Sequence, residues 1–276
     1  MIHFGTSSFS EPDWVGVFYP KGTKSADFIK HYATVYKTVE VDSTYYAIPS
    51  QASINNWNMK TPEDFIFSAK FPKSITHCGE TAVPNSELIM DIEKTSDDTE
   101  RFLQQMNQLG SRLGPMILQF PYFSKKIFPE KKVFYERLHN YLSRLPKQFK
   151  FGVEIRNKYW LSKEYASILK QYNIALVLQD HPWMPMGDEI EKYCDPHTSN
   201  FIYIRLLGDR KEIEAITTSW DKEVIDKNSS LDRWAKLIAE NTKKKMPTYT
   251  YINNHYAGYA PATLEMLKSK YIDLLK

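Results

Sequence analysis

Eight short strand-like runs recur along the chain, and helical patterns lie between most of them. The runs are 2–7 "IHFGTS", 38–44 "TVEVDST", 64–70 "DFIFSAK", 115–120 "PMILQF", 150–156 "KFGVEIR", 175–180 "ALVLQD", 201–208 "FIYIRLLG" and 248–254 "TYTYINN". They are rich in β-branched and aromatic residues. Phe28, Tyr32 and Val35 recur at helical spacing, as do Leu231, Trp234 and Ile238. Pro261 suits the first turn of a helix carrying Leu264, Leu267, Tyr271 and Leu274. Strands alternating with helices imply a parallel sheet. Eight such units in 276 residues predict one α/β domain over residues 1–276, a (β/α)8 TIM-like barrel. The alternative, an open doubly wound sheet, calls for a glycine-rich phosphate loop, and no GxGxxG follows the first strand. Long loops are expected after strands 1 and 3. The sixth helix is expected to be degenerate, because "HPWMPMGDEIEKYCDPHTSN" has no apolar helical face.

Composition narrows the function classes. The 36 basic and 33 acidic residues leave a net charge of +3, too balanced for general nucleic-acid or membrane binding. The two cysteines, Cys78 and Cys194, form neither a CxxC pair nor a zinc motif. Reduced thiols and the absence of a signal-peptide pattern or an apolar span predict a cytoplasmic protein off the membrane. Nothing in the pattern specifies an oligomeric state.

Function is sought at the strand ends, because barrel enzymes build their sites at the C-terminal mouth. In "KFGVEIR" the apolar residues Phe151, Val153 and Ile155 alternate with Gly152, Glu154 and Arg156. The second set faces the barrel, so Glu154 and Arg156 are expected in the mouth, with Gly152 leaving room below. The other strand ends add Thr6 and Ser7, Glu40 and Asp42, Lys70, Gln119, Gln179 and Asp180, Arg205, then Asn253, Asn254 and His255. His77 and Trp14 lie in loops on the same side.

Lys70, Arg156 and Arg205 suit a phosphate or carboxylate. Glu40 and Glu154 are candidate acids or bases, with His77 and His255 as proton carriers. Asp42, Gln119, Asp180, Asn253, Asn254, Thr6, Ser7 and Trp14 are candidate ligand contacts. The structural alternative is a charge-balanced network that fixes the barrel. No metal or tightly bound cofactor is expected. Glu40, Glu154, Asp180, His181 and His255 have suitable chemistry, but no HxH or HExxH spacing specifies them. A glycosidase with carboxylates after strands four and seven is disfavoured, because Gln119 and Arg205 stand there.

Several longer segments bring in a family. They are "FGTSSFSEPDWVGVFYP" (4–20), "VEVDSTYYAIPS" (39–50), "FIFSAKFPKSITH" (65–77), "LGPMILQFPYF" (113–123), "FGVEIRNKYW" (151–160), "YIRLLG" (203–208) and "YINNHYAGYAPATLEML" (251–267). In this order they resemble the YecE-like family, the domain of unknown function 72, from end to end. The resemblance implies a TIM-like barrel and no particular activity. Where the family usually shows Gly-Trp, Asn and Arg, this chain has Ser8-Phe9, Asp42 and Ala47. The last two changes alter local charge.

The residues and the resemblance together predict an enzyme acting on a small anionic substrate at the mouth, without a metal, by hydrolysis, elimination or isomerisation. The alternatives are a nucleic-acid-binding or nuclease-like protein with a basic, aromatic-lined groove, and a non-catalytic metabolite-binding protein.

Overall fold

The computed structural model describes residues 1–276. Its strands are β1 (Ile2–Thr6), β2 (Thr38–Val41), β3 (Ile66–Lys70), β4 (Leu113–Gln119), β5 (Phe151–Glu154), β6 (Ala175–Asp180), β7 (Ile202–Leu206) and β8 (Thr248–Ile252). All pair in parallel, and hydrogen-bonded neighbours run β1-β8-β7-β6-β5-β4-β3-β2. The result is a nearly closed eight-stranded barrel flanked by helices, the TIM-like architecture that the alternation predicts.

The main flanking helices are α1 (Phe28–Val35), α2 (Gln51–Lys60), α4 (Ile92–Asn107), α5 (Lys131–Leu142), α6 (Lys163–Gln171), α8 (Asn228–Lys243) and α9 (Ala260–Asp273). Two short ones, α3 (Lys73–Thr76) and α7 (Arg210–Glu214), sit in loops. Between β6 and β7 the chain forms only a 3-10 helix, Gly187–Lys192. The loops after β1 and β3 are long, as expected. A third long loop, not anticipated, joins β7 to α8 and carries Trp220.

Helix burial follows the apolar stripe, with two departures. Phe28, Ile29, Tyr32 and Ala33 bury one face of α1, but Val35 is exposed. The helix ends there, and the extended backbone at Tyr36 lets that tyrosine fill the core instead. Leu274 lies beyond the end of α9 and is also exposed.

Strand alternation separates two cores. One set of residues, including Val153, Ile155 and Leu178, joins the large cluster against the helices. The other set fills the lumen with Ile117, Ala175, Val177, Phe201, Tyr203, Tyr249 and Tyr251. Gly152 belongs to the lumen, but it leaves no open space. A Cβ there would lie 2.8 Å from Ile117 Cδ1 and 3.1 Å from Val177 Cγ2. The glycine is what lets those two side chains meet. The lumen tyrosines reach across the barrel with their hydroxyls. Tyr251 Oη lies 2.6 Å from Thr38 Oγ1 and 2.8 Å from Ser68 Oγ, tying β8 to β2 and β3.

The seam between β1 and β2 has no strand ladder. A helix side chain closes it. The Tyr32 hydroxyl accepts from the Thr6 N–H at 2.9 Å and donates to the Thr38 carbonyl at 3.0 Å. Gly5 permits this approach, since a Cβ on it would lie 2.3 Å from the Thr38 carbonyl oxygen. Tyr32→Phe keeps the ring but leaves both buried backbone groups unpaired. The variant is expected to lose about 2–4 kcal/mol in urea unfolding. An unchanged urea midpoint would show that the seam does not depend on this hydroxyl.

Candidate functional site

Inward alternation brings Glu40, Lys70, Gln119, Glu154, Gln179 and Arg205 to the C-terminal ends of β2 through β7. Arg205 holds them together. Its Nε and Nη2 donate to Glu40 Oε1 at 3.0 and 2.8 Å. Its Nη1 donates to Gln119 Oε1 at 2.7 Å and to Glu154 Oε2 at 2.6 Å. At 1% exposure, with four of its five N–H groups donating to Glu40, Gln119 and Glu154, Arg205 is built into the barrel. It is an organiser, where the sequence suggested an anion binder. Glu40 is similarly engaged: its second oxygen accepts from the Tyr203 hydroxyl at 2.6 Å.

Above this layer stand two ion pairs. Lys70 Nζ lies 2.7 Å from Asp42 Oδ1, and Arg156 Nη2 lies 2.5 Å from Glu154 Oε1. Neither contact is a well-directed hydrogen bond, because both carboxylate oxygens lack a hydrogen-bond partner. Three acids, Glu40, Asp42 and Glu154, therefore balance three bases, Lys70, Arg156 and Arg205.

The two buried glutamates differ electrostatically. Burial pushes Glu40 above its ordinary range; Arg205 opposes that shift, and Asp42 adds to it. Burial also acts on Glu154, but Arg156 and Arg205 together outweigh it and pull this carboxyl down to about 2. Glu154 is thus a permanently ionised group between two guanidinium groups.

Several expected site residues face elsewhere. Asp180 points outward, because Gln179 takes the inward position on β6. Its Oδ2 accepts from Trp234 Nε1 at 2.9 Å and the Tyr256 hydroxyl at 2.8 Å, pinning α8 to the barrel. His77 makes its polar contacts within its own loop; its Nδ1 accepts from the Gly79 N–H. His255 pairs with Asn253 Oδ1 at 2.6 Å and faces Glu214 at 3.4 Å. Asn254 Oδ1 accepts from the Ala260 N–H at the start of α9. The Thr6 hydroxyl is engaged by the Ser8 carbonyl and Tyr32. Ser7, Trp14, Asp42 and Asn254, together with Thr6, Asn253 and His255, line a separate cavity of about 140 Å³ beside β1 and β8.

Two further residues stand in the mouth, Gln179, a strand-end residue with no ligand role expected, and His181, weighed only as a metal ligand. Gln179 donates to the Ile155 carbonyl at 2.8 Å, and its Oε1 is buried without a partner. His181 follows two residues later, so the same alternation could have found it. Burial and the neighbouring Arg156 hold its imidazole down to about 3, neutral at physiological pH. No three His, Cys, Asp or Glu side chains converge in a metal-binding arrangement. Arg205 stands between the carboxylates instead.

A parallel eight-stranded barrel with polar groups gathered at the C-terminal ends of its strands defines a TIM-barrel protein with a built mouth. The chain belongs to the DUF72 family: the model described as a protein of unknown function, DUF72, matches residues 3–273. It is 30% identical over 164 residues to YecE of Escherichia coli K12, covering 59% of this chain and 51% of that protein, so the match spans about half the length of that relative. It is 22% identical to YunF of Bacillus subtilis over 295 residues, covering 99% and 97% of the two chains. Among solved structures, a DUF72 family protein of Thermotoga maritima is 28% identical, with a TM-score of 0.73 over 100% of this chain and 99% of that one. A DUF72 family protein of Enterococcus faecalis shares the fold at 21% identity, with a TM-score of 0.68 over 99% and 96%.

The cluster sets an acid limit on stability. Glu154 titrates near 2 when folded and near its ordinary value of 4.5 when unfolded. Its contribution is therefore fully present above about pH 5 and is lost as the pH falls towards 2, amounting to about 3 kcal/mol. Urea unfolding of Glu154→Gln between pH 2 and 7 is expected to lose this component of the acid dependence. Arg205→Met, which strands the buried Glu40 carboxylate and leaves Glu154 with Arg156 alone, is expected to cost about 3–5 kcal/mol at pH 7. A wild-type-like urea midpoint for Arg205→Met would overturn the organising role.

Proposed function

We propose that this chain is an enzyme acting on a phosphate- or carboxylate-bearing substrate at the C-terminal mouth of the barrel. One observation carries the reading. Arg156 touches a single carboxylate oxygen, that of Glu154, and its remaining N–H groups have no protein acceptor. Its side chain keeps 13% exposure, at the open end of the cluster. A guanidinium held this way presents a fork to an incoming anion. Lys70, paired only with Asp42, adds a second positive charge.

In this reading Glu154 holds Arg156 in place, and Glu40 positions Arg205 below. His181 is the proton carrier. Its Nδ1 accepts from the Trp183 N–H at 3.2 Å, so the neutral imidazole carries its proton on Nε2 and presents that N–H to a bound substrate. Burial is the larger cause of His181's depressed pKa, and an anion on Arg156 offsets the second cause, so phosphate binding moves the imidazole part of the way up. The amides of Gln119 and Gln179 are further polar contacts. His77 and His255 have no part in the proposed chemistry.

A second reading, nucleic-acid binding, draws on exposed aromatics in the loops after β2, β4, β5 and β6: Tyr46, Tyr122, Tyr159 and Trp183. The balanced charge of the mouth argues for a compact ligand instead, because nucleic-acid affinity rests on an excess of cations.

Arg156→Ala separates binding from scaffolding. Glu154 keeps Arg205 as a partner in this variant, so the protein is expected to stay folded. It should lose the thermal shift given by phosphate and phosphorylated metabolites. Loss of a charged hydrogen bond, about 1.5–3 kcal/mol, corresponds to roughly ten- to a hundredfold in affinity. Unchanged affinity in the variant rejects the anion site. Tight, salt-dependent binding of an oligonucleotide in place of phosphate favours the second reading. Phosphate-ester or carboxylate binding without turnover marks a non-catalytic binder.

NMR titration checks His181. Its imidazole is expected to stay neutral down to about pH 4 without phosphate and to titrate at higher pH with phosphate bound. No change on phosphate binding removes it from the proposed proton transfer.

A further inference from the structure

The cavity of about 140 Å³ beside β1 and β8 is separate from the Arg205 layer and meets the charge cluster only through Asp42. Its lining includes Ser7, Glu11, Trp14, Asp42, Trp220 and Asn254. Two of these carry polar atoms that the protein leaves unmatched. Ser7 is 2% exposed and follows Gly5 on the inward face of β1, and its hydroxyl has no hydrogen-bond partner. Trp14 is 1% exposed, and its indole Nε1 has none either. Buried polar groups are normally paired, so unmatched ones that line a cavity point to something that fills it.

The available groups define the occupant. Trp14 Nε1 only donates, the Ser7 hydroxyl donates and accepts, and the carboxylates of Glu11 and Asp42 accept. A ligand that satisfies all of them must carry several groups able both to give and to take hydrogen bonds. Hydroxyls do this. The two carboxylates repel an anion, so the ring itself is neutral. A cavity of about 150 Å³ takes a bare six-membered ring, so a sugar ring seats one face in this one of about 140 Å³ and leaves its other hydroxyls outside, with the indoles of Trp14 and Trp220 as apolar wall.

We propose that this cavity is a subsite for a neutral polyhydroxylated ring of the monosaccharide type. Combined with the anion reading above, on which this step rests, it makes the substrate a sugar bearing a phosphate or carboxylate. The ring lies against Ser7 and Trp14, and the anionic group lies towards Lys70 and Arg156.

The test titrates full-length protein with D-ribose, D-glucose, their terminal phosphates and inorganic phosphate. Calorimetry gives affinities, and the Trp14 indole N–H is followed by NMR, its resonance assigned through Trp14→Phe. A neutral sugar is expected to shift that resonance. Ser7→Ala and Glu11→Gln are each expected to weaken sugar and sugar-phosphate binding about tenfold or more while leaving inorganic phosphate unchanged. Arg156→Ala is expected to show the reverse selectivity. If phosphate binds but no sugar or sugar phosphate moves the Trp14 resonance, the subsite is refuted and the anion site stands. If neutral sugars move it and phosphate binds nowhere, the subsite stands and the anion site fails. Sugar affinity unchanged in Ser7→Ala and Glu11→Gln also overturns the subsite.

Discussion

Arg205 is buried at the centre of the barrel mouth, and Glu40, Gln119 and Glu154 are arranged around it. One guanidinium thereby joins β7 to β2, β4 and β5. A buried charge is tolerated only when its partners are placed well enough to offset desolvation. That requirement runs through the rest of the site. Glu40 must lie where Tyr203 can also reach it, and Glu154 must lie where its second oxygen meets Arg156. The polarity of the mouth is therefore first a condition of folding.

Function enters where the network is incomplete. Arg205 and Glu40 are almost wholly buried and spend their polar atoms mainly on each other and on Gln119, Glu154 and Tyr203. Lys70 and Arg156 each have one carboxylate partner and stand nearer the opening. The cluster is neutral as a whole, yet its outer layer presents cations above an inner layer that anchors them. His181 shares that outer layer, and burial first, then Arg156, holds it neutral.

The same economy of polar groups closes the barrel. Between β1 and β2 the backbone has no ladder, and the Tyr32 hydroxyl stands in for it. Ser7, one residue beyond β1, reaches the cavity at this side of the mouth without finding a partner. The place where the barrel is least regular also leaves room beside it.

The sequence by itself determined the architecture, because strand alternation and helical spacing are local properties that a single chain records. It also determined which strand-end residues turn inward, since a period of two leaves one choice of face. Glu40, Lys70, Glu154 and Arg205 were legible for that reason, and the same rule, applied strictly, keeps Gln179 and His181 in the mouth and turns Asp180 outward. Only the tertiary structure decided which of these groups are free. Arg156 and Arg205 look alike in sequence, but one meets three acceptor groups and the other a single carboxylate oxygen. The loop residues were undecidable from the chain for a related reason. His77, Asn253, Asn254 and His255 have no fixed periodicity, so local turn hydrogen bonds claim their side chains. Trp220 and Glu11 reach the cavity from long loops whose paths depend on packing against distant residues, and that information lies in no short stretch of sequence.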